Sequence, residues 1–254
     1  MSQFVSHICR LWDTRHAACH TNLESQNLKQ TGNMRPTGHS HIVMILPQEI
    51  PAMILPEAVL LPKTVMPLRI FEERYREMLA GSLNGERMFA VAKQRNDEEL
   101  PFPEEILRLH DVATVGLIRM SSQNPNGTSI LMLEGTERVK IEGISQEYPY
   151  PKIRISRLPT LNRPEGELQD ELMAKILEKI DTVNELLGRS DDEASRACHT
   201  IDDLETLIHF IMQTYCTSST MMQNTLEAID LVKRCRIVSD YLELQIMLIT
   251  DMEE

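Results

Sequence analysis

The apolar positions of this chain change period once. Up to about residue 160 they come in short, strand-like runs, and beyond residue 166 they recur at helical spacing. The first run, residues 50–62 (IPAMILPEAVLLP), is broken repeatedly by proline and predicts extended chain or an edge strand, where a missing N–H does least harm. A helix is predicted from near Pro67: Ile70, Phe71, Tyr75, Met78 and Leu79 fall on one side, Glu72, Glu73, Arg76 and Glu77 on the other, and Gly81 and Gly85 are stops. On such a helix Arg69 and Glu72 pair at i, i+3, and Phe71 and Tyr75 stack into the core at i, i+4. Residues 87–93 (RMFAVAK) read as a strand and residues 94–105 as an exposed charged loop. Two strand-like runs, 111–120 and 128–134, flank SSQNPNG, whose Asn126-Gly127 supplies the positive φ angles of a hairpin turn. Runs at 138–144 and 151–158 add two more strands, the second alternating Ile153 and Ile155 with Lys152, Arg154 and Arg157. Short strands, turn signals and one early helix predict a small closed or partly closed barrel.

After Pro164-Glu165-Gly166 the pattern is helical. Leu168, Leu172, Ile176, Ile180, Val183 and Leu187 line a first helix that stops at Gly188. Asp202 with Glu205 reads as a capping box for a second, whose stripe is Leu204, Leu207, Ile208, Ile211, Met212 and Tyr215. A third opens after Asp230 and carries Leu231, Cys235, Val238, Leu242, Ile246 and Ile249, preceded by a short extra turn over 221–228. The expected fold class is therefore α+β, a β-barrel with one early helix followed by a C-terminal α-helical bundle. Its domains are expected at residues 44–161 and 167–254. The last helix has a second apolar row, Ile237, Tyr241, Leu244 and Leu248, which either packs back on the β domain or forms an oligomer or partner surface. That region is too short and too polar to cross a bilayer.

Composition narrows the function. A formal charge of -12 disfavours a general binder of phosphate backbones and favours a soluble protein. The five cysteines, Cys9, Cys19, Cys198, Cys216 and Cys235, have no regular spacing, which suits buried thiols in a reducing cytoplasm better than a disulfide framework. Residues 1–43 hold five of the eight histidines and show no sustained apolar period; they are expected to be a disordered extension without a targeting signal. Met44 is a candidate biological start. His7, Cys9, His16, Cys19 and His20 lack the tight ligand pairs of a structural zinc site, so no metal is assigned to them.

The sequence also lacks ready catalytic groups. No G-x-x-x-x-G-K-[ST] loop is present, which removes the phosphate cradle of an ATPase. The acidic residues over 97–105 and Asp191-Asp192-Glu193 read as solvated loops, and the adjacent Cys198 and His199 would diverge on a helix. No enzyme activity, metal or cofactor is expected.

Three ordered motifs carry a resemblance. LPKTVMPLRIFEERY (residues 61–75), Val115-Gly116-Leu117-Ile118 and Glu134-Gly135-Thr136-Glu137-Arg138 resemble the PLRIFE, VGxI and EGxxR blocks of the Lon protease N-terminal, substrate-binding domain, over roughly residues 45–250. Lys63-Thr64-Val65 departs from the family's usual stretch before PLRIFE. The resemblance implies a PUA-like barrel followed by a helical bundle, and a noncatalytic module of protein quality control that binds unfolded or misfolded segments, as an adaptor in ATP-dependent proteolysis. The expected partners are such segments, a full-length Lon protease or a second copy. The candidate peptide-binding or motif residues are Pro67, Arg69, Phe71, Glu72, Tyr75, Glu134, Gly135 and Arg138, with Gly135 at a turn or bulge and Arg138 paired to a carboxylate such as Glu134 or Glu72. The candidate interface is Ile237, Tyr241, Leu244 and Leu248. The rival reading is RNA binding, since PUA-like barrels also take RNA and Lys152, Arg154, Arg157 and Arg163 could form a basic strip; aromatic residues at 4% leave few stacking platforms.

Overall fold

Six strands form one sheet in the computed structural model, which describes residues 46–95, 108–190 and 192–251. The extension over 1–43 with its histidines and cysteines, Met44, most of the charged loop and Asp191 lie outside the described residues. β1 (Glu49–Leu55) runs parallel to β3 (Met88–Lys93), which pairs antiparallel with β4 (Val112–Gln123). β5 (Ser129–Gln146) pairs with β4 along its length, then with β6 (Lys152–Arg157), and β6 returns to β1. The pairing thus runs round a ring of five strands, and β2 (Val65–Ile70) is added outside it on the first half of β5.

Two predicted strands, 128–134 and 138–144, are one long β5. Bulges allow that length: Val115 faces Glu137 but Gly116 faces Gly135, leaving Thr136 as the extra residue, and further irregularities fall between Ile141 and Gly143 and between Ile144 and Gln146. Each bulge bends the strand, so one segment serves β2, β4 and β6 in turn. The 124–128 turn is wider than a two-residue hairpin. Gly127 alone takes a positive φ, at 79°, while the Asn126 side chain accepts from the Thr128 N–H at 3.1 Å.

The early helix begins six residues later than predicted. Residues 65–70 are strand, and α1 spans Glu73–Asn84. Alternation decides this: Met66 and Ile70 point into the core while Val65, Pro67 and Arg69 point out, and a short apolar run cannot announce which period it obeys. Tyr75 then fixes α1 to β1, its hydroxyl donating to the Ile54 carbonyl at 3.2 Å and accepting from the Ile54 N–H at 3.1 Å. With Met53, Leu60, Met78, Phe89, Leu131 and Leu133 it closes the main core.

Five further helices follow among the described residues: α2 (Glu167–Leu186), α3 (Glu193–Cys198), α4 (Leu204–Tyr215), α5 (Ser219–Glu227) and α6 (Leu231–Asp251). Asp230 caps α6 as predicted, accepting from the Lys233 N–H at 2.9 Å. The cap of α4 is Asp203 rather than Asp202, because its carboxylate is the one that reaches the Thr206 N–H, at 2.9 Å. α3, unpredicted, is capped by Asp192. α6 packs along α2, α4 lies against both, and α5 reaches β4. No described helix is long and apolar enough to cross a membrane.

Candidate binding face and the seam beneath it

Register builds an outward face on β2, β5 and β4. Directly paired residues point to the same side of a sheet, so three rows cross these strands: Arg69, Ile130 and Ser122; Pro67, Met132 and Met120; Val65, Glu134 and Leu117. A bulge at Arg119 puts Met120, not Arg119, opposite Met132. Ile130 is 52% exposed and Met120 49%, and Phe71, continuing the outward alternation past Ile70, is 63% exposed. Arg119 pairs with Glu134 at one end of the face. These side chains make a partly apolar surface in which Met132, at the middle row, is itself buried at 7% exposure.

β2 is also the strand left outside the ring of pairing. Gly135 donates to the Thr64 carbonyl at 2.8 Å, so alternation along the antiparallel pair turns Met66, Leu68 and Ile70 toward β5 and gives Pro67 to the outer edge. A proline there removes one outward donor and blunts strand addition.

The remaining motif residues serve the fold. Tyr75 is buried, and desolvation raises its pKa against the opposing hydrogen bond from Ile54. Glu72 binds Arg74 at 2.8 Å, not Arg69, since Arg69 sits on a strand. Phe71 stands in solvent rather than stacking into the core. Gly135 accommodates a close backbone crossing, because a Cβ there would lie 2.2 Å from the Leu61 carbonyl oxygen.

Arg138 pairs with neither Glu134 nor Glu72. Its guanidinium donates to the carbonyls of Leu226 (3.2 Å), Ala228 (3.0 Å) and Leu158 (3.4 Å) and to Thr160 Oγ1 (2.9 Å), tying β5 to the turn before α6. Burial first, then Arg234, lowers its pKa to about 10. Beside it Arg234, fully buried, donates to Glu205 at 2.7 Å, to the Ala228 carbonyl at 2.7 Å and to His209 Nε2 at 3.0 Å. Because arginine only donates, Nε2 of His209 is the acceptor, and Nδ1 carries the proton given to the Pro62 carbonyl at 3.0 Å. Burial, then Arg234, lowers the His209 pKa to about 3, keeping the ring neutral. Burial pushes Glu205 up, but the hydrogen bonds from Thr160 and Arg234 and the Arg234 charge outweigh it and carry its pKa down to about 2. Gln213 adds to the same seam, accepting from the Leu61 N–H at 3.1 Å and from Thr64 at 3.0 Å.

Sequence reasoning missed Met120, Ile130, Met132, Glu205, His209 and Arg234 as a set. The hairpin could have yielded the first three by counting pairs back from Gly127. The seam residues have no local signal, being separated by up to 29 positions on different helices.

In the second apolar row, Tyr241 is buried and donates to the Tyr215 carbonyl at 3.0 Å, Ile237 is half-buried, and Leu244 and Leu248 are exposed. In the basic strip, Arg163 binds Glu205, Arg157 faces Glu137 at 3.7 Å, and Lys152 lies over the Tyr150 ring. A polar cleft of about 440 Å³ is lined by Glu57, Lys93, Arg95, His110, Ser219 and Glu227 among others. Lys93 donates to Ser219 at 3.0 Å, Ser219 to Glu57 at 2.9 Å, and His110 meets Glu227 at 2.9 Å, so its charges are met internally. Cys198, Cys216 and Cys235 are buried free thiols. Among the described residues no group of three or more acidic, histidine or cysteine side chains is placed to hold a metal.

Comparison with known proteins places this geometry. Residues 49–243 match the family model for the ATP-dependent protease La (LON) substrate-binding domain. Lon protease from Dictyoglomus thermophilum is 25% identical over 80% of this chain and 25% of its own, and that from Chloroherpeton thalassium is 23% identical over 79% and 23%. The chain thus spans about a quarter of the length of these relatives. Among solved structures, the N-terminal domain of Mycobacterium avium complex Lon protease superposes with a TM-score of 0.61 at 16% identity, covering 77% of this chain and 98% of that one. A Lon N-terminal domain protein from Xanthomonas campestris gives 0.53 at 17% identity, covering 74% and 95%.

Proposed function

Since the chain belongs to the ATP-dependent protease La (LON) substrate-binding domain family, we propose that it holds unfolded or misfolded protein segments on the outward face of β2, β5 and β4. The observation carrying this reading is that Ile130, 52% exposed, and Met120, 49%, stand in adjacent rows on the outward side of β5 and β4, with Phe71, 63% exposed, just past the end of β2. Contiguous exposed apolar surface marks an interaction site in a folded domain. In this reading the ring of strands is a PUA-like barrel (residues 44–161), the helices over 167–254 are a supporting bundle, and the module is noncatalytic. It acts in the cytoplasm as an adaptor that presents clients for ATP-dependent proteolysis, with a full-length Lon protease or a second copy as further partner. Leu244 and Leu248 are the residues of the second apolar row left available for that contact.

The test is fluorescence anisotropy with a labelled, carbamidomethylated polypeptide that cannot refold. The triple variant F71S/M120S/I130S is expected to weaken binding about tenfold, on the order of the apolar area lost less the cost of ordering the client. Equal affinity for wild type and triple variant would remove this face as the site.

A further inference from the structure

We infer, resting on the client-binding reading above, that this face selects extended segments carrying an acidic side chain two positions from an apolar one, and that Arg69 reads the acid. Arg69 lies directly opposite Ile130 in the β2–β5 register, on the outward side and exposed. Arg74, Arg95, Arg119 and Arg163 each meet a carboxylate. Arg69 has no hydrogen bond or ion pair among the described residues. Exposed Arg154 and Arg189 also lack an ion pair among the described residues, but Arg69 is the one of these paired in register with exposed Ile130, so an acidic group is the complement its position asks for. Within the three rows, Glu134 pairs with Arg119 at the bulge, which leaves Arg69 as the row residue whose charge is not met there.

Geometry sets the spacing. Neighbouring strands lie about 4.8 Å apart, and alternate side chains of an extended client, which share one face, are separated by about 6.6 Å, so a client seating an apolar residue over Ile130 brings a carboxylate two positions away to the Arg69 guanidinium. Pro67 at the outer edge of β2 works against a client joining the sheet through its backbone. Side-chain chemistry, not a hydrogen-bonded ladder, is then left to discriminate among clients.

The experiment compares three labelled extended peptides identical except for Asp, Asn or Lys two positions from a Leu-Phe pair. They are titrated into the full chain as wild type, R69E, R69K and F71S/M120S/I130S. Wild type and R69K are expected to prefer the Asp peptide over the Lys peptide about fivefold, the scale of one exposed ion pair, with the preference shrinking in high salt. R69E should invert the order, while the triple variant weakens all three peptides. If wild type and R69E rank the peptides alike while the triple variant still loses binding, charge selection by Arg69 is wrong and the client-binding face stands. If no peptide binds wild type, or the triple variant binds as wild type does, both readings fall.

Discussion

At the seam between sheet and helices, Arg234 and His209 are fully buried and Glu205 and Arg138 nearly so, whereas on the outer face of β2, β5 and β4 three large apolar side chains stand in water. The usual placement of polar and apolar groups is inverted in both regions, for different reasons. In the seam each charge is matched by a partner fixed in the fold, so its desolvation is offset by hydrogen bonds to carbonyls and to a neighbour of opposite sign. On the face the apolar groups are left exposed, and in the proposed function a client supplies their complement. Buried charge specifies how the helices sit on the sheet; exposed apolar surface is left over for binding.

Removing one seam partner should break that comparison most severely. R234A leaves Glu205 buried with fewer donors and should destabilise the fold by about 3–5 kcal/mol, read from urea midpoints. R163A, which removes a half-exposed partner of the same carboxylate, should cost under about 1 kcal/mol. Equal losses would mean that burial does not separate the two arginines.

Acid acts on the same cluster in two windows. His209 has a folded pKa of about 3 against an ordinary 6.5, so below 6.5 the unfolded chain binds a proton that the folded chain refuses. Stability should then fall by up to about 1.4 kcal/mol per pH unit. Glu205, depressed from 4.5 to about 2, contributes stability that is full above 4.5 and lost as the pH falls toward 2, so the two losses add only in the lower window. H209Q, whose amide can both donate to Pro62 and accept from Arg234, should flatten the midpoint-versus-pH curve between 6.5 and 4.5 relative to wild type; parallel curves would place the acid sensitivity elsewhere.

A smaller effect is expected at the strand crossing. G135A sets a methyl group against the Leu61 carbonyl and should cost about 1–3 kcal/mol as the 61–64 segment shifts away. Smallest of all is the face: F71S, M120S and I130S should each change stability by no more than about 0.5 kcal/mol while binding falls. A large stability loss there would identify those side chains as core and sharpen the contrast in the opposite direction.

Much of the architecture was legible from local signals. Asp230 before an apolar heptad-like stripe, Gly188 after one, and Gly127 between two alternating runs each act through neighbours in sequence, and each lies at the boundary expected of it. The start of α1 is not legible locally, because Pro67, Leu68 and Ile70 satisfy either period and pairing with residues 129–134 decides it. The candidate site divided the same way. Pro67, Arg69, Phe71 and Glu134 are brought onto or beside one face, while Tyr75, Gly135 and Arg138 hold the fold beneath it.

Sequence by itself determined the family motifs, the switch from strand to helix near residue 166, the helix stripes and most of their caps, because periodicity and capping are contacts between residues a few positions apart. Tertiary structure alone decided which strands close on which, that Met120 and Ile130 fall in adjacent rows on one side of β4 and β5, and that Arg138 turns from any nearby carboxylate to the carbonyls of Leu226 and Ala228. Those outcomes depend on register, bulges and the meeting of segments as much as 105 residues apart, as Glu49 and Arg154 are, where each group settles on the partner that burial leaves within reach.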